Sequence, residues 1–555
     1  MSKKLTFALA FEGTLESVRI LSAPSDEIKS FSQFRLTEFL GAASRDIFGL
    51  KFPGSNYPIF RLPTQKSKSL TAHTLATTLE KAGMACISLN LSDEGKTDLV
   101  DMSDIIAVGI STTFIFDAVT LQHLIDRVRK LMPNVPIVLG GAGSTLNPDW
   151  LQKTTADFML VGDAEEALPQ LLDAINNDEG FENVSNLQWR TPDGIRQSKA
   201  TSNPDLNVIP TPRYDLINNS SWPDDIVYET SRSCLFGCKF CSYPQQSRVW
   251  RFKSPERMAD DFEFYASMGV KRISCLDSTM LSPIARMRKL CRILIDRGVP
   301  LQWGCSGHCA QLQDPGFVKL LNNAGCRFVA CGVESGDEQI LTNMNKHISY
   351  DKALIALKHV KEAGMFSIAS FLIGFPGETV ESAEKTLKFI FESKPHFYTL
   401  QSFQIRDLKI PILAEADKYS LKLETNENGE IQGWTHATMT SGEADSIVSG
   451  FHNRIANELP ETLMMSLLRL TGVDLLTPDP AAATFFMNHV QPILKEWQRA
   501  LAFYPDISFG VKPGSLETYN KHRQTAISLY KNLCNTVGIK QTSGQTKAPK
   551  EHLTS

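Results

Sequence analysis

From about residue 70 to about residue 410, apolar positions along the chain alternate between two patterns. Short continuous apolar runs mark strands buried on both faces, and between them apolar residues recur every three or four positions, the mark of amphipathic helices. TAHTLATTLEKAG puts Leu75, Leu79 and Ala82 at helical spacing and stops at Gly83, which predicts a helix ended by a glycine. ACISLNL follows as a strand. IIAVGIS is a continuous apolar run, TLQHLIDRVRKL a helix, and PIVLGGAGST a second buried run ending in glycines. DFMLVGDAEEALPQLLDAI repeats strand, turn and helix. This alternation predicts an α/β, Rossmann-like domain over residues 61–200, a parallel sheet with helices on both faces and a ligand at the carboxyl ends of its strands.

Residues 181–225 are polar, with proline-rich NPDLNVIPTPRYDL, and read as a small strand pair and a linker, the linker proper over 201–225. Alternation then resumes with six candidate strands, IVYETSR, RISCLDS, LQWGCSG, FVACGVES, SIASFLIG and FYTLQSF. Helices separate them. PIARMRKLCRILIDRG carries Ile284, Met287, Cys291 and Leu294 on one face and stops at Gly298. The pattern predicts a partial (β/α)6 TIM barrel over 226–428, with its site at the carboxyl ends of the strands. Beyond it, Thr440 with Glu443 forms a capping box ahead of ADSIVSGFHNRIANEL. LPETLMMSLLRL and FFMNHVQPILKEWQRALAF continue as helices, predicting a helical C-terminal domain over 429–538. Residues 1–60 have no firm period and read as an extension; the polar tail 539–555 reads as disordered.

A chain of 555 residues exceeds one hydrophobic core, which agrees with several domains. A net charge of −4 without a long basic run argues against a nucleic-acid partner. Lys3 and Lys4 before LTFALAF resemble the start of a signal peptide, but the apolar run ends at Glu12 without a cleavage site. No run is long and apolar enough to span a membrane, and the eleven cysteines do not suit the disulfide framework of a small secreted chain. The expected location is the cytoplasm.

Cys234, Cys238 and Cys241 stand in SRSCLFGCKFCSYP, a C-x3-C-x2-C spacing directly after the first barrel strand. Three thiolates in one short loop can wrap an iron–sulfur cubane and leave one iron open to a small ligand. A structural zinc site, the alternative, wants four closed ligands, and no second C-x2-C pair follows at the right distance. Ser111, Thr112, Gly140, Gly141 and Gly143 fall at strand ends of the first domain. Glycines there either admit a bulky ligand close to the backbone or make tight turns. Cys305, Cys309, Cys326 and Cys331 read as small apolar core residues, and His73, inside a helix, as a core or surface residue.

CLFGCKFC after a strand resembles the radical S-adenosylmethionine superfamily, and the order of domains resembles its subgroup with an N-terminal cobalamin-binding domain. IVLGGAGST, VGDAEEALPQLL, GVESG and GFPGET carry the resemblance further, over roughly residues 70–410. It implies that Cys234, Cys238 and Cys241 hold a [4Fe–4S] cluster whose open iron is chelated by S-adenosylmethionine. It places Phe240 against the adenine, Asp277 and Ser278 near the methionine amino group, Glu334 and Ser335 near the ribose, and Gly374 and Gly377 beside the adenine. Ser111 matches the serine after one strand of its cobalamin-binding domains and Gly140 with Gly141 the Gly-Gly after the next, with Thr112 and Gly143 beside them as further cobalamin contacts, while the D-x-H-x-x-G loop of many such domains is absent. Cobalamin bound without a histidine below the metal is the reading that follows. His308 stands where related barrels often carry arginine.

The resemblance implies an enzyme that methylates a carbon of a small molecule through a 5′-deoxyadenosyl radical and methylcobalamin. An electron donor such as flavodoxin or ferredoxin would serve it. Two alternatives are a rearrangement, dehydration or cyclisation without methyl transfer, and a non-catalytic iron–sulfur or cobalamin sensor. No residue is assigned to acid–base catalysis.

Overall fold

A computed structural model describes residues 6–11, 69–90 and 105–465, except positions 114, 200, 218–220, 248, 428 and 430, together with 491–502 and scattered positions between 521 and 532. The expected extension beyond residue 11 and the expected disordered tail lie outside the described residues.

Two parallel sheets organise the described chain. The first contains β1 (Thr6–Phe11), β2 (Ala85–Asn90), β3 (Ile105–Ser111), β4 (Ile137–Gly140), β5 (Phe158–Leu160), β6 (Leu187–Thr191) and β7 (Gly194–Gln197). Their order is β2-β1-β3-β4-β5-β6-β7. The strands from β2 to β5 run parallel, and β6 and β7 extend the edge antiparallel. Two findings differ from the sequence reading. Thr6–Phe11, assigned to an extension, is an inner strand paired with both β2 and β3. The strand pair expected beside the linker completes the first sheet.

Each face of this sheet has its own core. Leu75, Leu79, Leu168 and Leu171 cover one, and Leu121, Leu124, Ile125 and Val128 the other. The helix Leu70–Lys81 forms as expected, with Ser69 as its cap and Gly83 just beyond it at φ 81°. His73 is buried in that helix against Tyr214, ring centroids 4.5 Å apart.

The second sheet is the expected partial barrel with one strand more. It contains β8 (Asp225–Tyr228), β11 (Arg272–Cys275), β12 (Gln302–Gly307), β13 (Cys326–Glu334), β14 (Phe366–Ile373) and β15 (Phe397–Ser402), with β19 (Leu463–Met464) added beyond β15. All neighbours are parallel. A two-stranded ribbon, β9 (Ser231–Arg232) with β10 (Arg251–Phe252), stands apart from both sheets. Cys275, Cys291, Cys305, Cys309, Cys326 and Cys331 are all buried in the barrel core. Trp303 is fully buried and its Nε1–H donates to the Ala324 carbonyl at 2.8 Å, tying β12 to the end of the helix Pro315–Asn323.

The C-terminal region is less purely helical than the sequence suggests. β16 (Lys422–Thr425), β17 (Ile431–His436) and β18 (Met439–Thr440) form a small antiparallel sheet, and Leu463–Met464 is a strand where a helix was expected. The helix Ser441–Glu458 does form, with the Thr440–Glu443 capping box made in both directions. The helix Gln491–Ala502 packs beside it.

Two histidines, His452 of this region and His396 of the barrel, make hydrogen bonds to barrel strands in their neutral form. His452 Nε2 donates to the Leu400 carbonyl at 3.2 Å, and its Nδ1 accepts from the Tyr398 hydroxyl at 2.9 Å. His396 Nδ1 accepts from the Ser367 amide at 3.1 Å. Burial holds both down to about 4, from the ordinary 6.5. Unfolding releases both rings to their ordinary value, so the stability they confer is complete above 6.5 and is lost as pH falls towards 4. For His452 the loss is on the order of 3 kcal/mol. Thermal melts across that range are expected to fall steeply, and the fall is expected to shrink in a His452→Gln variant.

Candidate active site

The cysteine loop follows the ribbon strand β9. Ser233, just before Cys234, has φ 70°, so the chain turns sharply out of the strand. The loop is pinned from several sides. The Lys239 amide donates to the Met344 carbonyl at 2.9 Å, the Ile412 amide to the Lys239 carbonyl at 3.0 Å, and Asn345 Nδ2 to the Gly237 carbonyl at 2.9 Å. Phe236 stacks on His308 with ring centroids 4.2 Å apart. Cys238 is buried, while Cys234 and Cys241 are half-buried. The three thiols are close enough to influence one another electrostatically. Burial pushes the Cys238 thiol up to about 11, and the Lys346 ammonium opposes that rise.

Lys346 is the prominent residue that the sequence did not reveal. Its Nζ is buried, lies 3.1 Å from Glu334 Oε1, and stands 5.6 Å from the centre of the Phe240 ring. Glu334 ends β13 with φ 73°, a left-handed conformation rare for a residue with a side chain and a common store of strain at functional sites. Gly332 makes room for the pair, since a Cβ there would lie 2.1 Å from Glu334 Oε1 and 2.9 Å from Lys346 Nζ. His308 supports the same region. Its Nε2 donates to the Lys346 carbonyl at 2.8 Å, its Nδ1 accepts from the Ala310 amide at 3.2 Å, and burial holds it down to about 4. A lysine in the polar loop NMNKH carries no periodic signal that would have marked it.

The remaining expected contacts fall into two groups. Glu334 acts electrostatically on Cys238 and Cys241 and Phe240 lies within the cysteine loop, while Gly374 and Gly377 stand in the loop after β14. Gly374 (φ 91°) and Gly377 (φ 93°) make a turn backed by Trp434, Ala444 and Tyr419, where a Cβ at Gly374 would come within 2.7 Å of Trp434 and Ala444. The Glu378 carboxylate is buried beneath this turn and accepts from the Gly374 amide at 2.5 Å; burial pushes it up to about 8. Asp277 and Ser335, by contrast, are turned into the protein. Asp277 Oδ1 accepts from the Thr230 amide (3.0 Å), Thr230 Oγ1 (2.8 Å) and Ser231 Oγ (2.6 Å), and Ser335 Oγ accepts from the Asp337 amide at 3.1 Å. Ser278 is exposed and hydrogen-bonded to Tyr243, whose hydroxyl burial pushes up to about 12.

In the first domain, Ser111, Thr112, Gly140, Gly141 and Gly143 meet at the carboxyl ends of β3 and β4. Thr112 is buried. Its Oγ1 donates to the Gly140 carbonyl at 2.9 Å, and the Ser144 amide donates to that Oγ1 at 2.9 Å. Gly141 turns at φ 111°, and Gly143 packs so tightly that a Cβ would sit 2.5 Å from the Thr112 carbonyl and 2.6 Å from Trp150. Gly140 has open space where a Cβ would stand. Thr112 and Gly143 therefore shape the turn, while Gly140 leaves its outer side clear.

A cavity of about 350 Å³ lies between the two domains; of the site residues expected from the sequence, Gly143, Phe240 and Cys241 line it, while Ser111, Thr112, Gly140, Gly141, Glu334, Gly374 and Gly377 do not. Thr113, Phe116, Ala142 and Gly143 line it from the first domain. Phe240, Cys241, Tyr243 and Arg406 line it from the barrel. The Arg406 guanidinium lies over the Phe116 ring at 4.9 Å, and Lys409 Nζ reaches the Thr145 carbonyl at 3.0 Å, so the domains touch directly across its rim.

Residues 228–390 match the radical SAM superfamily, and residues 64–172 match the B12 binding domain. The chain therefore carries a radical SAM domain and a B12-binding domain. Along the chain the B12-binding domain precedes the barrel, the order read from the sequence. An uncharacterized methyltransferase of Pyrococcus horikoshii is 28% identical over 310 residues, covering 54% of this chain and 67% of that protein. The anaerobic magnesium-protoporphyrin IX monomethyl ester cyclase of Rubrivivax gelatinosus is 24% identical, covering 53% of this chain and 55% of the cyclase. The fold is shared with the radical S-adenosylmethionine methyltransferase TsrM from Kitasatospora setae, solved with cobalamin and a [4Fe–4S] cluster. That likeness has a TM-score of 0.62 at 14% identity and covers 85% of this chain and 98% of TsrM.

The radical SAM domain implies a [4Fe–4S] cluster and S-adenosylmethionine, and the B12-binding domain implies cobalamin. The donor chemistry fits them. A cubane asks three cysteines to address three different irons and leaves the fourth to a small ligand, and three cysteines share this one loop. A Cβ at Gly140 would meet nothing within 4 Å, so the backbone there is open to a ligand, and Ala142 and Gly143 just beyond it line the cavity.

Proposed function

We propose that this protein is a cobalamin-dependent radical S-adenosylmethionine methyltransferase acting on a carbon of a small-molecule substrate. The observation that carries the reading is the shared cavity, lined on one side by Thr113, Ala142 and Gly143 of the B12-binding domain and on the other by Phe240, Cys241 and Tyr243 of the cysteine loop. When bound, the cluster and S-adenosylmethionine supply a carbon-centred radical, and the corrin supplies a transferable methyl group.

The chain's own residues bind and orient. Cys234, Cys238 and Cys241 hold the cluster. Lys346 offers ammonium donors to a carboxylate beside it, and Glu334 offers an acceptor to hydroxyl groups. The Gly374–Gly377 turn lets a planar base approach the backbone. Phe240 supplies an apolar face, and the close-packed barrel core keeps water from the reacting centre. Asp277 acts from behind by fixing Thr230 and Ser231. Ser111, Thr112, Gly140, Gly141 and Gly143 form the edge on which cobalamin rests. The reducing electron comes from a flavodoxin or ferredoxin in the cytoplasm. The described residues contain no helix long and apolar enough to cross a membrane.

The cyclase similarity favours a second reading, radical chemistry on a small molecule without methyl transfer. Products of S-adenosylmethionine separate the two without knowledge of the substrate. Reconstituted anaerobically with iron, sulfide and cobalamin and then reduced, the chain is expected to form both 5′-deoxyadenosine and S-adenosylhomocysteine, the latter only when cobalamin is present. Formation of 5′-deoxyadenosine alone would contradict the transferase.

A further inference from the structure

Away from the cavity, four buried charges join the B12-binding domain to the ribbon that leads into the cysteine loop. Asp163 and Glu165 stand in the turn after β5, and β5 lies beside β4, the strand that ends at Gly140. Arg232 is the last residue of β9, two positions before Cys234, and Arg251 faces it on β10. Arg232 Nη1 lies 2.9 Å from Asp163 Oδ1 and 3.1 Å from Glu165 Oε2, while its Nη2 pairs with Glu165 Oε1. Arg251 Nη2 lies 2.6 Å from Asp163 Oδ2, and its Nη1 donates to the Pro204 carbonyl at 2.7 Å. The side chains of Arg232, Asp163, Glu165 and Arg251 are only 15%, 12%, 8% and 12% exposed.

Stability alone is a poor reason for such a cluster. Apolar replacements of buried ion pairs are often as stable or more so, because both charges must leave water. What forked guanidinium–carboxylate pairs add is geometry, since two parallel hydrogen bonds fix distance and angle together. The ribbon needs that constraint. It belongs to neither large sheet; two residue pairs and the Lys253 amide to Thr230 carbonyl bond (2.9 Å) join its strands, and Asp277 anchors Thr230 and Ser231 from the barrel side, so the four charges are what fix it from the side of the B12-binding domain. Domains in one chain otherwise move relative to each other by default. Each end of the cluster also adjoins a candidate cofactor edge: Arg232 stands two positions before Cys234, and the amide of Gly162, beside Asp163, donates to Thr145 Oγ1 at 3.1 Å, which donates to the Gly141 carbonyl at 3.1 Å.

We propose that Asp163, Glu165, Arg232 and Arg251 form a positioning clasp that sets how the cysteine loop faces the B12-binding domain. It thereby couples radical formation to methyl transfer. The inference rests on the methyltransferase reading above, and it makes these four positioning residues that need touch neither cofactor.

The test uses the full chain loaded with both cofactors and carrying Asp163→Asn with Glu165→Gln. Iron and corrin contents are expected to stay close to those of the unmodified protein. The ratio of S-adenosylhomocysteine to 5′-deoxyadenosine is expected to fall roughly tenfold or more, as displacement by about an ångström does for reacting groups. The magnetic interaction between reduced cluster and cob(II)alamin, read by electron paramagnetic resonance, should weaken in parallel. Arg251→Lys is the milder companion, keeping the charge but losing the fork that spans Asp163 and Pro204, and it should shift both readouts in the same direction. Full cofactor loading with unchanged ratio and unchanged interaction in either variant would overturn the clasp. Absence of S-adenosylhomocysteine from the unmodified protein would instead overturn the methyltransferase reading, leaving the clasp to be judged by the magnetic interaction.

Discussion

Replacing Cys238 with alanine is expected to leave the chain folded and to abolish cleavage of S-adenosylmethionine. The side chain is small and buried, and the loop around it is held by backbone bonds that do not involve the thiol, from Lys239 to Met344 and from Ile412 to Lys239. Loss of one sulfur should therefore cost only about 1 kcal/mol of stability, a small shift in melting temperature. The chemistry has no such reserve. With three protein ligands and one iron already open, removing a thiolate leaves two corners unheld, and iron content is expected to fall from about four per chain to a small fraction of that. The result is read by iron analysis, by visible absorption and by 5′-deoxyadenosine formation. Persistence of cleavage in a variant that lacks the Cys238 thiol would remove this loop from the site.

The second large effect is expected at Lys346. Its ammonium is buried with Glu334 at 3.1 Å. Lys346→Met preserves most of the side-chain volume but leaves the Glu334 carboxylate without its partner, a loss on the order of 3–5 kcal/mol for a buried pair. That loss appears as a lower melting temperature. Separately, binding of S-adenosylmethionine is expected to weaken by about a hundredfold in Kd, because the lost ammonium acts on the Cys238 thiol and stands 5.6 Å from the Phe240 ring. Lys346→Arg tests geometry against charge. The charge remains, but Gly332 shows how little room surrounds Nζ, so intermediate affinity is expected. Binding measured by calorimetry on the cluster-loaded protein checks both. An unchanged Kd in Lys346→Met would place the ammonium outside the S-adenosylmethionine site.

The legible parts of this molecule are those whose signal is local. The alternating strands and helices between Leu70 and Ser402 carry their own periodicity, and the cysteine spacing carries its own chemistry. The strand Thr6–Phe11 escaped because its partners, Ala85–Asn90 and Ile105–Ser111, are some eighty to a hundred residues away and its short apolar run resembled a leader. Leu463–Met464 escaped for a similar reason, since two residues on the edge of a sheet leave no period to detect. At the site, sequence placed Asp277 and Ser335 correctly at strand ends but said nothing about where their side chains turn. The hydrogen bonds to Thr230, Ser231 and the Asp337 amide take them inward. Lys346 and the Asp163–Arg232 clasp are visible only once the loops have been brought together in space.

The most direct test of the central claim is the fate of the methyl group itself. With both cofactors loaded and S-adenosylmethionine carrying a deuterated methyl group, corrin extracted from the reduced protein is expected to carry the label by mass analysis. Unlabelled corrin in a preparation that accumulates 5′-deoxyadenosine would contradict the account.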